Sequence, residues 1–499
     1  MIADTKGGLS ARLAALLRLQ TGLAVLVAVL SPLVILAVLR GFPGDLEADH
    51  RLAPTFALVH GYRLYYPPDS GPALSTLYGP VTALFYLPAT LASTPMVAIL
   101  IGTLWAMIAF FAASFATIRV AAGSIWTKWW QLLGLTLALV WFVGPVERNA
   151  SHIHADAPAL ACAALACLFA MRERRTFFAW ENELVAALCG TLAVFAKQNM
   201  APVLVAVAIW FALRGGRDLW RFITFSIVLA AVMAGFTVTV LSSPSAFFFN
   251  CLVMPTHQPL DKTLLFPALS EICGFGLMLL LIPFAFIARA WARSDAGTRG
   301  FLLGRRTPLL ILAGVLMVPA AIAGRMKWGG NENSLGLALF FFVLALLAEI
   351  AAVRDEAEAR LWSIPVLACC LVGLMPAAYF SVKSRPASPI QQAFVYARQH
   401  PGQVYFPQFP LVHLMAEGKL YHFSWGLTDR RNAGVPVSDE HFRANISPNA
   451  EVLAITSLNA PFESDMTSRE GPRVADFAGA AQLPQFEFFA MPPQQTPQK

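Results

Sequence analysis

The chain has 499 residues, of which 57% are hydrophobic and 13% are charged, and its formal net charge is +7. Soluble globular domains carry about 25% charged residues, so this composition excludes a cytosolic enzyme, a disordered chain and a small secreted disulfide scaffold. The basic residues recur in short groups between apolar runs, which argues against nucleic acid as a partner and favours a polytopic membrane protein.

Long apolar runs predict the membrane spans, because a helix needs about 20 apolar residues to cross the hydrocarbon core. The first run, from Thr21 to Leu39, is too long for a signal peptide and is interpreted as a span. The run at 77–93 contains Pro80 and Pro88 and is predicted to be an interfacial or re-entrant helix that does not cross. About eleven spans are predicted, at residues 20–40, 95–118, 129–145, 157–171, 183–197, 199–213, 222–242, 268–288, 307–324, 333–353 and 361–380.

The basic loop residues predict which ends of these spans face the cytoplasm. If the N-terminus is cytoplasmic and 77–93 does not cross, the arginine groups at 172–175 and 289–306 lie inside, as the positive-inside rule requires. The first outer loop, residues 41–94, and the C-terminal tail then lie outside, which predicts an extracytoplasmic site. The expected setting is a bacterial inner membrane with the site on its periplasmic side, although the bacterial origin is not read from any residue. Acidic, histidine and asparagine residues gather in the outer loops, so a reaction at the outer face is favoured over transport.

The composition changes at about residue 381, beyond which no apolar run could span a membrane. Residues 388–400 predict a helix, GQVYFP, EVLAITS and FEFFA predict short strands, and the final MPPQQTPQK predicts disorder. The expected fold is an all-α polytopic membrane bundle over residues 1–380, with interfacial helices in the first outer loop. A small extracytoplasmic α/β domain over 381–499 completes it. Most of the seven cysteines lie in apolar runs and the tail has none, so disulfides are not expected to hold the fold.

The first candidate site is the acidic cluster that follows the first span. It contains Asp45, Glu47, Asp49 and His50. On a helix, Asp45 and Asp49 would share one face and Glu47 would point elsewhere. A carboxylate partly desolvated at the membrane surface should gain proton affinity and serve as a general base. The alternative is a helix N-terminus whose acids complement the helix dipole.

Two further groups of candidates lie in later outer loops. In the second loop, Asp156 is predicted to cap a helix, and His152, His154 and Asp156 together are an alternative divalent-metal site. Elsewhere, cations at the interface would suit an anionic lipid headgroup, and glycine beside them would let backbone N–H groups approach a phosphate. The residues concerned are Lys197, Gln198, Arg325, Lys327, Gly329, Gly330 and Asn331.

The order of several short motifs resembles the GT-C superfamily of membrane glycosyltransferases, which use polyprenyl-phosphate-linked sugars. This superfamily includes protein O-mannosyltransferases and the aminoarabinose transferases of lipid A. After the acidic first loop come Gly61-Tyr62 and Leu77-Tyr78-Gly79-Pro80, then H-A-D-A-P-A-L, a Lys-Gln pair and a late Gly-Gly-x-x-Asn. The resemblance covers roughly residues 17–380 and is strongest over 41–200.

The resemblance implies a transferase that moves a sugar from a polyprenyl-phosphate donor to an acceptor hydroxyl with inversion. The acceptor is a glycan, a lipid or a protein, as in the building of cell-envelope glycans. The first-loop catalytic carboxylate corresponds to Asp45 with Glu47 as its rival, the second-loop acid to Asp156, and the phosphate-side lysine to Lys197. The family's usual Asp-Glu pair is Asp-Leu-Glu here, which leaves the choice of base open.

A different class of function, a lipid-linked sugar flippase or secondary transporter, remains as the alternative. It would need a polar pathway through the spans, and the apolar runs contain no acids of the kind that serve one. The sequence implies no cofactor.

Overall fold

The structure is a computed structural model. It describes residues 13–27, 29–30, 46–123, 135–136, 139–173, 180–353, 358, 360–368, 371–372, 388–456 and 471–491.

The described chain is mostly helical, and further helical residues lie at 360–368. In chain order the α-helices are α1 (Leu13–Val27), α2 (Leu46–Val59), α3 (Pro80–Phe85), α4 (Pro95–Ala122), α5 (Gly144–Ser151), α6 (Asp156–Met171), α7 (Glu181–Ala196), α8 (Ala201–Arg214), α9 (Gly216–Phe236), α10 (Pro244–Phe248), α11 (Met254–His257), α12 (Leu265–Trp291), α13 (Thr298–Gly304), α14 (Thr307–Met326), α15 (Asn333–Ala352), α16 (Pro389–Gln399), α17 (Pro410–Glu417), α18 (Ser424–Asn432) and α19 (Asp439–Ala444).

Among the described residues, five helices are long and apolar enough to cross a membrane, and the bent pair α5 and α6 would make a sixth. The protein is therefore an integral membrane protein. The predicted number of spans stays a prediction, since the runs at 20–40, 129–145 and 361–380 lie partly outside the described residues. The run at 77–93 forms α3 and a 3-10 helix at Leu87–Leu91, of six and five residues, and both are too short to cross.

The helices differ in burial according to their place in the bundle. Helix α15 is apolar on all sides, and 94% of its most hydrophobic window is buried against neighbours that include α4, α12 and α14. A helix with no polar face belongs in the interior of a large bundle. In the span Gly216–Leu241 that window is only 6% buried, and Ile227 and Val232 are exposed, as expected for a lipid-facing helix.

The C-terminal part contains helices α16 to α19 and a three-stranded sheet in the order β1-β2-β3. The strands are β1 (Val404–Tyr405), β2 (Val452–Ile455) and β3 (Glu487–Ala490). Strand β1 pairs parallel to β2, with Val404 opposite Val452, and β3 pairs antiparallel to β2, with Val452 opposite Ala490. The predicted helix and all three predicted strands are confirmed. The proposed disorder of MPPQQTPQK falls on 492–499, outside the described residues.

The first outer loop and the C-terminal part share one hydrophobic core. Leu52 and Phe56 of α2 are buried in the same apolar cluster as Phe409 and Leu411 of the α17 region. Helix α2 is therefore fixed on one side by the tail and on the other by the membrane helices. The five described cysteines are free thiols, and Cys369 and Cys370 lie outside the described residues.

Candidate active site

Asp156 lies at a sharp break between two membrane helices. Helices α5 and α6 are bent by 102° with respect to each other, and Asp156 is the first residue of α6. The predicted role as helix cap is wrong, because Ala155 occupies the N-cap position. The side chain of Asp156 is fully buried and is turned toward three polar partners.

Those three partners come from three different segments. Lys197 Nζ forms a short ion pair with Oδ1 of Asp156, and Asn333 Nδ2 donates to Oδ2 at 2.8 Å. Nδ1 of His154 lies 2.7 Å from Oδ2. A buried carboxylate is tolerated only when it is paired and hydrogen-bonded. Asp156 therefore joins the C-terminus of α7 and the N-terminus of α15 at one end of the bundle.

The Leu77-Tyr78-Gly79-Pro80 motif packs directly on the end of α7 and fixes Lys197. A Cβ atom on Gly79 would lie 1.9 Å from the carbonyl oxygen of Phe195, so only glycine permits this approach. Thr82 Oγ1 donates to the carbonyl oxygen of Ala196 at 2.9 Å. Gln198 Nε2 donates to the carbonyl oxygens of Leu77 at 2.9 Å and Cys251 at 3.1 Å, so Gln198 is a scaffold residue.

Glu47 is the described carboxylate of the first loop that faces this cluster. Its Oε1 lies 3.6 Å from Nε2 of His154 and 3.6 Å from Nη2 of Arg51. The Tyr78 hydroxyl lies 3.1 Å from the same His154 nitrogen. Nδ1 of His154 lies close to Oδ2 of Asp156 but outside hydrogen-bond geometry, whereas Nε2 is within hydrogen-bonding distance of that hydroxyl. Glu47 and Asp156 are thus linked through one imidazole ring.

The proton affinity of Glu47 differs from the sequence-based expectation. Burial favours a higher pKa, but the nearby His154, Arg51 and His152 outweigh it and hold the pKa of Glu47 below its ordinary value. The expected gain in proton affinity is therefore wrong in sign. Glu47 is ionised at neutral pH, which is the form that a general base requires.

Asp49 and His50 point away from this cluster and hold the C-terminal part. Asp49 Oδ1 accepts a hydrogen bond from the backbone N–H of Leu411 at 3.0 Å, in the first turn of α17. His50 is buried and stacks on Trp425 with ring centroids 4.6 Å apart. Both were candidates for the site, and the structure brings neither into contact with Asp156 or Lys197. Asp45 lies outside the described residues.

Substitutions at Asp49 test its role in docking the tail. Burial raises the pKa of Asp49 well above its ordinary value, although the Leu411 N–H opposes this. Folding therefore gains stability below the unfolded-state pKa, and this gain is lost as pH rises through the folded-state pKa. We expect Asp49→Asn to fold well without that pH dependence. We expect Asp49→Ala to lose about 1–3 kcal/mol by leaving the Leu411 N–H unpaired. Thermal unfolding in detergent at several pH values measures both effects.

The exposed Asp69 of the same loop supplies the control variant for this measurement, Asp69→Asn. An unchanged pH dependence in Asp49→Asn, equal to that of the wild type and of Asp69→Asn, would contradict the docking role.

The late outer loop lies beside the cluster, but its contact with Asp156 comes from Asn333 and not from a residue predicted for the site. Lys327 Nζ donates to the carbonyl oxygen of Pro255 at 2.7 Å, and burial with the nearby charge of Lys197 lowers the pKa of Lys327. Arg325 Nη1 donates to the carbonyl oxygen of Gly330 at 2.9 Å. Asn331 is exposed, whereas Asn333, the last residue of the Gly-Gly-x-x-Asn motif, reaches Asp156.

The two glycines of this loop form its turn. The Gly330 N–H donates to the carbonyl oxygen of Lys327 at 2.7 Å, and Gly329 has a φ of 71°, in the left-handed region. The N–H group of Gly330 is therefore already hydrogen-bonded, and the expectation that it is free to approach a phosphate is wrong.

No group of three or more His, Cys, Asp or Glu residues is placed to hold a metal ion anywhere in the described part of the chain. His154 and Asp156 are in contact, but Nδ1 of His152 lies 3.0 Å from the Ser151 hydroxyl instead. The three residues of the H-x-H-x-D run therefore do not converge as a metal site.

Sequence reasoning missed three residues of the cluster. Arg51 lies one helical turn after Glu47, so the i,i+4 spacing could have identified it. The Tyr86 hydroxyl donates to the carbonyl oxygen of His154 at 2.9 Å and fixes that segment, and Asn333 reaches Asp156. No sequence signal identifies Tyr86, since its contact depends on how α3 packs against the α5–α6 break.

The comparisons with known proteins concern the whole fold. No protein-family model matches the chain, and no curated protein matches it. Among solved structures, that of ArnT from Cupriavidus metallidurans bound to undecaprenyl phosphate matches with a TM-score of 0.53 at 11% sequence identity. The match covers 95% of this chain and 100% of that chain. The protein has an ArnT-like fold.

The ArnT-like fold agrees with the predicted architecture of a helical membrane bundle with a small C-terminal α/β part. Because it covers 95% of the chain, the likeness extends beyond the predicted range of 17–380 and into the C-terminal part. At 11% identity the likeness concerns the fold alone.

Proposed function

We propose that the protein is a membrane glycosyltransferase that moves a sugar from a polyprenyl-phosphate donor to an acceptor hydroxyl, with inversion at the anomeric carbon. The observation that carries the proposal is the convergence of Glu47, His154, Asp156 and Lys197 at one end of an ArnT-like helix bundle. The solved ArnT structure contains undecaprenyl phosphate, which is the kind of lipid that would leave a polyprenyl-phosphate-linked donor after transfer.

The arrangement suits the chemistry of such a transfer. A donor whose hydrocarbon tail lies in the bilayer presents its sugar phosphate at the ends of the membrane helices. Glu47 would take the proton of the acceptor hydroxyl as its oxygen bonds to the anomeric carbon. The bond from that carbon to the phosphate oxygen breaks on the opposite side, and polyprenyl phosphate leaves. The cations Arg51, Lys197 and Lys327 would stabilise the charge that develops on the leaving phosphate.

The proposed site lies on the outer face of a bacterial inner membrane. This location is supported by the arginine residues that gather at the other end of the bundle. At the end opposite the acidic site, arginines form another group: Arg305 binds the buried Glu349, and Arg289 pairs with Glu358 at 2.9 Å. Arginine-rich helix ends face the cytoplasm by the positive-inside rule. The active site and the C-terminal part then face the periplasm.

A transfer assay in proteoliposomes tests this function. The probes are undecaprenyl-phosphate-linked mannose, galactose and aminoarabinose with labelled sugars, supplied with bacterial envelope extract as acceptor. The proposal predicts release of undecaprenyl phosphate together with a labelled glycoside, at a rate absent from protein-free liposomes. Donor that crosses the bilayer with its sugar still attached would indicate a flippase and contradict the proposal.

A further inference from the structure

Helix α18 of the C-terminal part docks on the first outer loop through buried polar contacts. Arg430 is 1% exposed, and its guanidinium donates to the carbonyl oxygens of Pro68 at 2.8 Å and Pro67 at 3.2 Å. Gln258 Nε2 donates to the carbonyl oxygen of Asp429 at 3.0 Å. These contacts fix the direction of α18, so the side chains of its first two turns meet the first loop in a defined place.

Ser75 joins Asp429 of α18 to Arg51 of α2. The Ser75 hydroxyl donates to Oδ2 of Asp429 at 2.8 Å, while the Ser75 carbonyl oxygen accepts from Nη1 of Arg51 at 3.4 Å. Ser75 and Asp429 are 5% and 8% exposed. A carboxylate from the tail and a guanidinium beside Glu47 therefore lie on either side of one buried serine.

Arg51 also lies between two aromatic rings. Its Cζ is 5.1 Å from the centroid of Tyr78 and 5.7 Å from that of Trp425, which are distances for cation–π attraction. Nε of Arg51 is buried and makes no hydrogen bond. The contacts of the guanidinium with polar groups are therefore long ones: 3.4 Å to the Ser75 carbonyl oxygen and 3.6 Å to Glu47. The charge of the guanidinium is balanced by the two carboxylates near it, Glu47 and Asp429, and its position depends on both of them.

We propose that Asp429 is a positioning residue for the transfer: through Ser75 and Arg51 it keeps the guanidinium shared between two carboxylates, so that Glu47 retains enough proton affinity to act as base. This inference rests on the proposed function. It assigns the C-terminal part a role in the chemistry, because α18 supplies the second carboxylate.

The coupling between Asp429 and Glu47 can be measured because the charge of Asp429 changes with pH. Burial raises the pKa of Asp429 to about 6, although the Ser75 hydroxyl and Arg51 both oppose the rise. The titratable groups around Arg51 are the acids Glu47, Asp156 and Asp429, the neutral Tyr78 hydroxyl, and the bases His154 and Lys197. As pH falls through the pKa of Asp429, its charge is lost and Arg51 is balanced mainly by Glu47. That change lowers the proton affinity of Glu47 further and slows proton removal from the acceptor.

The test is the pH profile of transfer by the full-length protein in proteoliposomes. We expect Asp429→Asn to lower kcat at pH 7.5 by roughly three- to tenfold with little change in KM for the donor. We expect the step near pH 6 to disappear from its profile. Asp429→Glu should restore most of the rate and the step, and Ser75→Ala should give an intermediate loss. Asp476→Asn, an exposed acid of the same part of the chain, serves as the control and should match the wild type.

An unchanged kcat and an unchanged pH profile in Asp429→Asn, per folded molecule, would overturn the inference. A loss equal in size at every pH would also overturn it, since that result indicates a structural role alone. Hydrogen–deuterium exchange of residues 46–59 separates this inference from the proposed function. Even if the wild type transfers no sugar, faster exchange in Asp429→Asn than in Asp476→Asn supports the link to Arg51. Equal exchange overturns it.

Discussion

Replacing Glu47 with glutamine is expected to lower kcat by about 10²–10⁴-fold, which is the usual contribution of a positioned base. The amide has the size of the carboxylate and can still contact Arg51 and His154, so the protein should remain folded. The loss should lie in kcat, with little change in KM for the donor, because the base acts on the acceptor proton. Initial rates in proteoliposomes, normalised to folded protein, measure this effect.

Two companion variants make the result for Glu47 decisive. Asp69→Asn removes an exposed acid of the same loop and should keep wild-type activity. Asp45→Asn tests the rival carboxylate, which lies outside the described residues. Wild-type kcat in Glu47→Gln together with a large loss in Asp45→Asn would contradict the assignment and make Asp45 the base.

Replacing Lys197 with methionine is expected to destabilise the protein by about 3–5 kcal/mol, because it leaves a buried charge without its main partner. Asp156 is fully buried, and Lys197 is 5% exposed. Of the two partners that remain, Asn333 is neutral, and His154 can balance the carboxylate only by taking up a proton. The loss should appear as a lower thermal midpoint in detergent and as loss of transfer.

A double-mutant cycle isolates the ion pair from packing effects. Asp156→Asn combined with Lys197→Met removes both charges, so the double variant should be more stable than the sum of the single losses predicts. Lys262→Met replaces an exposed lysine and should leave the midpoint unchanged. Strictly additive losses in the cycle would show that Asp156 and Lys197 do not depend on each other.

Several parts of the structure were predictable because they depend on local pattern alone. The distribution of basic loop residues indicated that the run at 77–93 does not cross, and it forms only the short helices Pro80–Phe85 and Leu87–Leu91. Short apolar runs within the polar C-terminal part predicted β2 and β3. The predicted topology places Asp156 and Lys197 at helix ends on one side of the membrane, and the two residues do meet at one end of the bundle. That this end faces outward stays a prediction.

Other features depended on tertiary contacts that no spacing rule contains. Asp49 and Glu47 are two residues apart. Asp49 accepts a hydrogen bond from the first turn of α17, whereas Glu47 faces His154, because the C-terminal part packs on one side of α2. The pKa of Glu47 moves down because His154 and Arg51 approach it in space. Asp429 lies far along the chain from Arg51, and only the docking of α18 brings them together. The catalytic roles of all these residues stay predictions.

The most direct test of the account is a structure of the protein with undecaprenyl phosphate bound in a lipid nanodisc. We expect the phosphate group to lie within reach of Arg51, Lys197 or Lys327, with Glu47 facing the space in front of it where a sugar would lie. A phosphate bound instead among Arg289, Arg305 and Arg306, in the cavity of about 550 Å³ at the opposite end of the helices, would contradict it.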